Sequence, residues 1–205
     1  MKKLILSFGL LASVSYAAQA QSLTYGIKAG ASLTNFTGDG APDGKNIFGF
    51  NGGLVANIGI SDAFSIQPEV LYSMKGAKTE GTFGPGSTAK LTTRINYIDV
   101  PVLARINAEG LFFEAGPQLG FVVSANQKLE ITGTNGSSGE QDIKNQTNTV
   151  DFGYVAGLGY QLSSGPGIGL RYNGAFTSAS KGSTSSSAIR NSAFQLYLSF
   201  MFGGK

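Results

Sequence analysis

Leu23-Thr24-Tyr25-Gly26-Ile27-Lys28-Ala29-Gly30-Ala31-Ser32-Leu33-Thr34 alternates without a break. Leu23, Tyr25, Ile27, Ala29, Ala31 and Leu33 share one parity. Thr24, Gly26, Lys28, Gly30, Ser32 and Thr34 share the other. Successive side chains of an extended chain point to opposite faces, so a period of two gathers the apolar groups on one face and the small or polar ones on the other. A helix has a period of 3.6 and would scatter them. The stretch is also long enough to matter in a bilayer, which a tilted strand crosses in about 9–11 residues.

Further segments repeat the pattern. Phe48, Phe50, Leu54, Ala56, Ile58 and Ile60 keep one parity, interrupted only by Gly52. Phe64, Ile66, Pro68, Val70, Tyr72 and Met74 oppose Ser65, Gln67, Glu69, Ser73 and Lys75. Ile98, Val100, Val102, Ala104 and Ile106 oppose Tyr97, Asp99, Pro101 and Arg105. The run from Leu111 to Val123 alternates against Glu114, Gly116, Gln118 and Gly120. Val150, Phe152, Tyr154, Ala156, Leu158 and Tyr160 oppose Asp151, Gly153, Gly157, Gly159 and Gln161. Ile168, Leu170 and Tyr172 oppose Gly169, Arg171 and Asn173, and the run from Phe194 to Phe202 closes the series. With the first stretch, these make eight predicted strands.

The connections alternate too. Short polar turns at 61–63, 107–110 and 163–166 join strands two to three, four to five and six to seven. Long Gly/Ser/Thr/Asn-rich stretches at 37–47, 77–93, 126–148 and 178–192 make the other joints and read as loops. An even strand number with short turns at one end and long loops at the other is the pattern of an outer-membrane barrel. Lipid offers the backbone no hydrogen-bond partners, so a sheet that spans it must close on itself. The expected fold class is all-β, an eight-stranded antiparallel up-and-down transmembrane β-barrel.

The composition is compatible. Gly makes up 30 of 205 residues and charged residues only 13%, against roughly 25% charged in ordinary soluble domains. No run after residue 21 is apolar for long enough to make a transmembrane helix. Met1-Lys2-Lys3, the apolar run Leu4–Val14 and Ala18-Gln19-Ala20 read as a secretory signal peptide, residues 1–20, with a barrel domain at 21–205. Loss of the leader removes Lys2 and Lys3 and leaves 13 basic against 12 acidic groups. So near-neutral a chain gives no electrostatic footprint for a nucleic-acid partner.

Period two alone does not say which face is the core, and a soluble barrel or sandwich alternates in the same way. Three features favour an apolar face turned to lipid. The polar faces carry Gly, Ser, Asn and Gln with scattered charges in place of a dense charged coat. Aromatics recur near strand ends, at Tyr25, Phe36, Phe48, Phe64, Phe112, Phe113, Phe121, Phe152, Tyr160, Phe200 and Phe202, as interfacial girdles require. The charges on the polar faces also balance, Lys28, Lys75, Arg105 and Arg171 against Glu69, Asp99, Glu114 and Asp151.

Four motifs carry a resemblance. They are Gly26-x-Lys28-x-Gly30, the segment from Gln67-Pro68-Glu69 to Lys75-Gly76, Tyr97-Ile98-Asp99-Val100-Pro101-Val102-Leu103, and Glu114-Ala115-Gly116-Pro117. In order and spacing they resemble the outer-membrane β-barrels common in Bacteroidota, termed PorT-like or "porin family", across essentially the whole mature chain. The resemblance implies an eight-stranded barrel in the outer membrane and little about activity. A terminal aromatic normally closes such chains; here Phe202 is followed by Gly203-Gly204-Lys205.

With no His and no Cys, the chain holds no Ser-His-Asp triad, no Cys nucleophile and no ordinary zinc set. Neither a catalytic residue nor a cofactor is expected. Asp39-Gly40-Ala41-Pro42-Asp43-Gly44 lacks the ligand ladder and closing Glu of a calcium loop. Gly165-Pro166-Gly167-Ile168-Gly169 precedes a predicted strand, which is the wrong setting for a phosphate loop.

The constellation that remains is the set of inward charges, Lys28, Glu69, Lys75, Asp99, Arg105, Glu114, Asp151 and Arg171. Eight strands leave a lumen just wide enough to fill with side chains. The charges therefore read first as a plug of ion pairs and second as a gated polar path. The expected function is non-enzymatic, structural or partner-binding through long outer loops, with a narrow passive channel for ions or very small solutes as the alternative. The expected partners are the outer-membrane bilayer and a protein, glycan or lipopolysaccharide at the loops, above all at 126–148 with its Lys128, Glu130, Glu140, Asp142 and Lys144.

Overall fold

The structure, a computed structural model, describes residues 22–82, 86–133 and 136–203. The expected leader at 1–20 lies outside the described residues. The strands are β1 (Leu23–Thr37), β2 (Lys45–Gly59), β3 (Phe64–Thr82), β4 (Thr88–Ala108), β5 (Leu111–Thr132), β6 (Ser137–Asp142), β7 (Val150–Gln161), β8 (Pro166–Ala175) and β9 (Arg190–Phe202). Eight of them close one antiparallel ring in the order β1-β2-β3-β4-β5-β7-β8-β9, and β9 returns to pair with β1 from Tyr25↔Phe202 to Thr37↔Arg190. β6 stands outside the ring and, among the described residues, pairs only with the far end of β5, from Asn126↔Asp142 to Ile131↔Ser137.

Short turns lie at one end, between β2 and β3, β4 and β5, and β7 and β8. The tightest is Glu109-Gly110, where both residues have positive φ, 49° and 92°. That conformation matches a two-residue primed turn, whose twist suits the strands it joins.

The faces are inverted relative to a soluble barrel. Leu54, Phe194 and Leu198 are 66%, 65% and 63% exposed on the outside, whereas Lys28, Glu69, Lys75 and Arg171 are buried inside. An apolar wall around a polar lumen is stable only where hydrocarbon replaces water as the outer solvent. Tilted aromatic pairs run along this wall near the long-loop end, Tyr154–Phe176 at 5.1 Å and Tyr172–Phe194 at 4.9 Å between ring centroids.

Two expectations need correction. The stretches 77–93 and 126–148 are largely strand, because β3, β4 and β5 run to 19, 21 and 22 residues and form an extended sheet beyond the ring with β6. Thr79, Thr82, Thr88, Thr92, Thr93, Ile131 and Thr132 are β-formers. Above the bilayer both faces of the sheet meet water or other loops, so the lipid-imposed alternation fades while the strand persists. The second correction concerns the girdle. Phe36 and Phe112 face inward, Phe112 buried under the Arg105 guanidinium and Phe36 against the apolar cap of the lumen.

Candidate functional site: the charged lumen

The eight inward charges fall in two layers. They stand on alternating positions of β1, β3, β4, β5, β7 and β8, and the strand pairing sets their height. Arg105 lies opposite Glu114, and six residues further along the same pair of strands Asp99 lies opposite Gly120. At ~3.4 Å per residue and a strand tilt of about 35–45°, the layers are roughly 15 Å apart along the barrel axis.

The layer toward the short turns centres on Arg171. Its Nη1 and Nη2 donate to Glu69 at 2.8 and 3.0 Å, and its Nε and Nη2 donate to Glu114 at 2.8 and 2.6 Å. One planar guanidinium thus clamps two carboxylates, a geometry that an ammonium lacks. Glu69 also accepts from Lys28 Nζ at 2.6 Å and from Gln67 Nε2 at 2.8 Å. Glu114 accepts from the Tyr197 hydroxyl at 2.9 Å, and the Tyr197 ring lies 4.0 Å from Lys28 Nζ. Arg105 donates to Gln67 Oε1 and Asn107 Oδ1, each at 2.9 Å, and stacks 3.6 Å over Phe112.

The layer toward the long loops is smaller. Lys75 Nζ lies 3.1 Å from Asp99 and 3.8 Å from Asp151, and 4.6 Å over the Tyr97 ring. Asn191 donates to Asp151 Oδ2 and to Tyr97 Oη, both at 2.9 Å. The apolar cap of Ile95, Tyr97, Val122, Ala125 and Ala179 closes this end, with Phe36 and Ile143 packed against it. Of the cap, Tyr97 stands in a motif quoted from the sequence, whereas Ile95, Ala125, Ala179 and Asn191 carry no such mark. The alternation of β9 carries the signal for Asn191, since it shares the inward parity of Gln195 and Tyr197.

The two layers carry opposite excess charge. The short-turn layer holds three cations, Lys28, Arg105 and Arg171, against Glu69 and Glu114; the long-loop layer holds Lys75 against Asp99 and Asp151. The lumen as a whole is neutral, yet at roughly 15 Å and an effective dielectric of about 20 the excess charges attract by only about 1 kcal/mol. Each layer must therefore be stabilised mainly by its own contacts.

Outside the lumen, the charges of the long-loop end are tied to one another. Lys90 and Lys128 both reach Glu130, at 3.3 and 3.0 Å, and Asn126 donates to Glu140 at 2.9 Å. Lys45 and Lys78 both pair with Glu80. Hydrogen bonds from Lys45 and Lys78 hold the Glu80 carboxyl well below its ordinary value, down to about 2. A depressed folded-state value adds stability that is present above the ordinary pKa and lost as pH falls through about 2. Carboxyl carbon NMR of Glu80 should give a midpoint near 2 in the native chain and one moved up toward 4.5 in Lys45→Ala. An unmoved midpoint in Lys45→Ala would reject the Lys45 contact as its cause.

Above the cap a cleft of about 200 Å³ opens between the long loops, with Phe36, Leu91, Ile95, Gln127, Ile143 and Ala179 in its lining. Among the described residues none in the lining is charged. Among the described residues no group of three or more His, Cys, Asp or Glu side chains is placed to share a metal ion.

Residues 18–181 match the family described as outer membrane protein beta-barrel domain. No curated protein matches the chain. Among solved structures, the neisserial surface protein A is 12% identical, with 88% of this chain and 99% of that chain covered at a TM-score of 0.50. The attachment invasion locus protein Ail of Yersinia pestis, solved with the heparin analogue sucrose octasulfate, is 15% identical over 88% of this chain and 99% of its own, at 0.46. CarO2 of Acinetobacter baumannii is 12% identical over 87% and 99%, at 0.47. At such identities the likeness to the neisserial protein is one of fold.

Proposed function

The chain belongs to the outer membrane protein beta-barrel domain family and is an outer-membrane protein in contact with the lipid bilayer, and from that premise we propose that it is a non-enzymatic, non-conducting barrel that presents a rigid outer crown to a partner. The observation that carries this reading is the filled lumen. Two charge layers and an apolar cap occupy it, and the cavity at the long-loop layer, beside Lys75, Gln118, Asp151 and Asn191, measures about 10 Å³. That is room for about one water. Each interior carboxylate lies within ion-pair distance of a cation.

The crown supplies the partner-binding half of the proposal. Rigid scaffolds that hold long connections in place are where binding residues concentrate. The uncharged cleft among the loops suits a neutral group with an apolar face, on a protein, a glycan or a lipopolysaccharide. The narrower likeness to PorT-like barrels rests on the four motifs quoted above and adds no role of its own.

One observation favours a narrow channel instead. Ser32, Asn51, Ser73, Asp99, Asn173 and Asn191 hold buried polar atoms without a hydrogen-bond partner among the described residues. Buried polar groups of this kind are normally satisfied, often by water. Planar-bilayer recordings of the refolded protein separate the two readings, with insertion checked by heat-modifiable gel mobility. We expect no discrete openings; reproducible single-channel steps would overturn the plugged reading and make the polar seam the conducting path. A photo-crosslinker at Gln141 on β6 should capture a cell-surface partner, whereas one at Asp62 on a short turn should not. Equal capture at both positions would remove the crown from the account.

A further inference from the structure

Arg105 is the cation of the short-turn layer that no carboxylate reaches. Glu69 is engaged by Lys28 and Arg171, and Glu114 by Arg171 and Tyr197. Among the described residues every ion pair of this layer is made by Lys28 or Arg171, none by Arg105. Its Nε and Nη1 donate to neutral oxygens, those of Asn107 and Gln67. Its Nη2 donates to no described residue. Phe112 fixes the plane of the guanidinium from one side, 3.6 Å away, and the residue is only 6% exposed. The result is a held, largely desolvated cation with one nitrogen uncommitted and its charge unmatched within its own layer.

Arg105 belongs to the wall of a cleft of about 420 Å³ at the short-turn mouth of the barrel. Asn57, Asn107, Gln161 and Ser163 line the cleft with neutral polar groups, and Glu109 is the one acid in the lining. A buried charge is stable only when it is paired, and a planar guanidinium matches the geometry of an oxyanion better than that of a spherical ion. We propose that this mouth is a binding site for a single oxyanion of the carboxylate or phosphate class, which enters from the short-turn side and is accepted by Arg105. Such a ligand would neutralise the excess charge of the short-turn layer, which the distant Asp99 and Asp151 do not. Glu109 opposes its entry and keeps the binding weak and exchangeable.

The test is an NMR titration of the refolded full chain in a maltoside detergent. Sodium acetate, sodium phosphate and sodium chloride are added at matched ionic strength, and the Arg105 side-chain Nε–H and the Gly110 amide are followed. Acetate, phosphate or both should give a saturable shift that chloride does not give. A response to acetate alone names a carboxylate ligand, and a response to phosphate alone names a phosphate. Arg105→Gln should abolish the shift of Gly110. Glu109→Gln, on an exposed turn, should tighten binding roughly two- to fivefold, as expected for one like charge removed at the rim. Three results would each overturn the site: no saturable shift with either oxyanion, an equal shift with chloride, or an unchanged Gly110 response in Arg105→Gln. If Arg105→Gln does not refold, the affinity of Glu109→Gln decides, and an affinity equal to that of the native chain rejects the proposal.

Discussion

Arg171→Met should destabilise the barrel by about 3–5 kcal/mol, the usual cost of removing one partner from a buried ion cluster. The substitution keeps much of the volume and removes all four hydrogen bonds by which the guanidinium holds Glu69 and Glu114. Glu69 would retain Lys28 and Gln67, whereas Glu114 would keep only the Tyr197 hydroxyl and a long contact from Gln67 at 3.4 Å. The damage should therefore centre on Glu114. Urea unfolding in lipid vesicles, read by gel mobility, gives the loss. Adding Glu114→Gln should recover a large part of it, because the pair is then replaced and not broken, and the layer returns to its native net charge. If the double variant is as unstable as Arg171→Met, the cost lies in lost packing and the electrostatic account is wrong.

Gly169→Val should cost about 3 kcal/mol for a different reason. A Cβ at Gly169 would overlap the Tyr197 ring at Cζ and Oη. Tyr197 cannot swing aside freely, since its hydroxyl is bound to Glu114 and its face covers Lys28. Its own Cβ is in turn packed against Gly30 on β1. Overpacking typically costs about 1–3 kcal/mol, and a lost hydrogen bond to a charged group about 1.5–3. Gly139→Val on β6, where a Cβ meets nothing within 4 Å, is the matched control and should be nearly neutral in the same unfolding assay. Equal losses at both sites would mean that strand propensity, and not the seat of Tyr197, sets the cost.

Much of this was legible in the chain. The unbroken alternation from Leu23 to Thr34 specifies strand, parity and face together, because a slip of one residue would turn every apolar group into the lumen. The same parity places Phe112 inside and Phe113 outside, a distinction that a list of strand-end aromatics loses. The inward set of charges could be named from parity, but its pairing could not. Lys28 meets Glu69 across 41 residues and Arg171 meets Glu69 across 102, and the stagger of the ring, which decides such meetings, leaves no mark in any one strand. The extended β3–β4–β5 sheet was hidden for the opposite reason. Beyond the bilayer no solvent contrast imposes alternation, so Thr-rich strand resembles loop.

The pairing of β9 with β1 bears on how the molecule comes to exist at all. Every other neighbour in the ring follows its partner closely along the chain, so those hairpins can form as soon as their two strands are present. The last pairing joins Tyr25 to Phe202, nearly the full length of the described chain, and its loop-closure entropy must be met in one step. Before that step β1 and β9 are raw edges whose amides and carbonyls find no partner in hydrocarbon. A half-built barrel is thus the least stable form this chain can take inside a membrane. Insertion and closure become one event, and a lesion that weakens only the backbone pairing of this seam, leaving Lys28 and Tyr197 in place, would reduce the number of barrels that arrive without altering those that do.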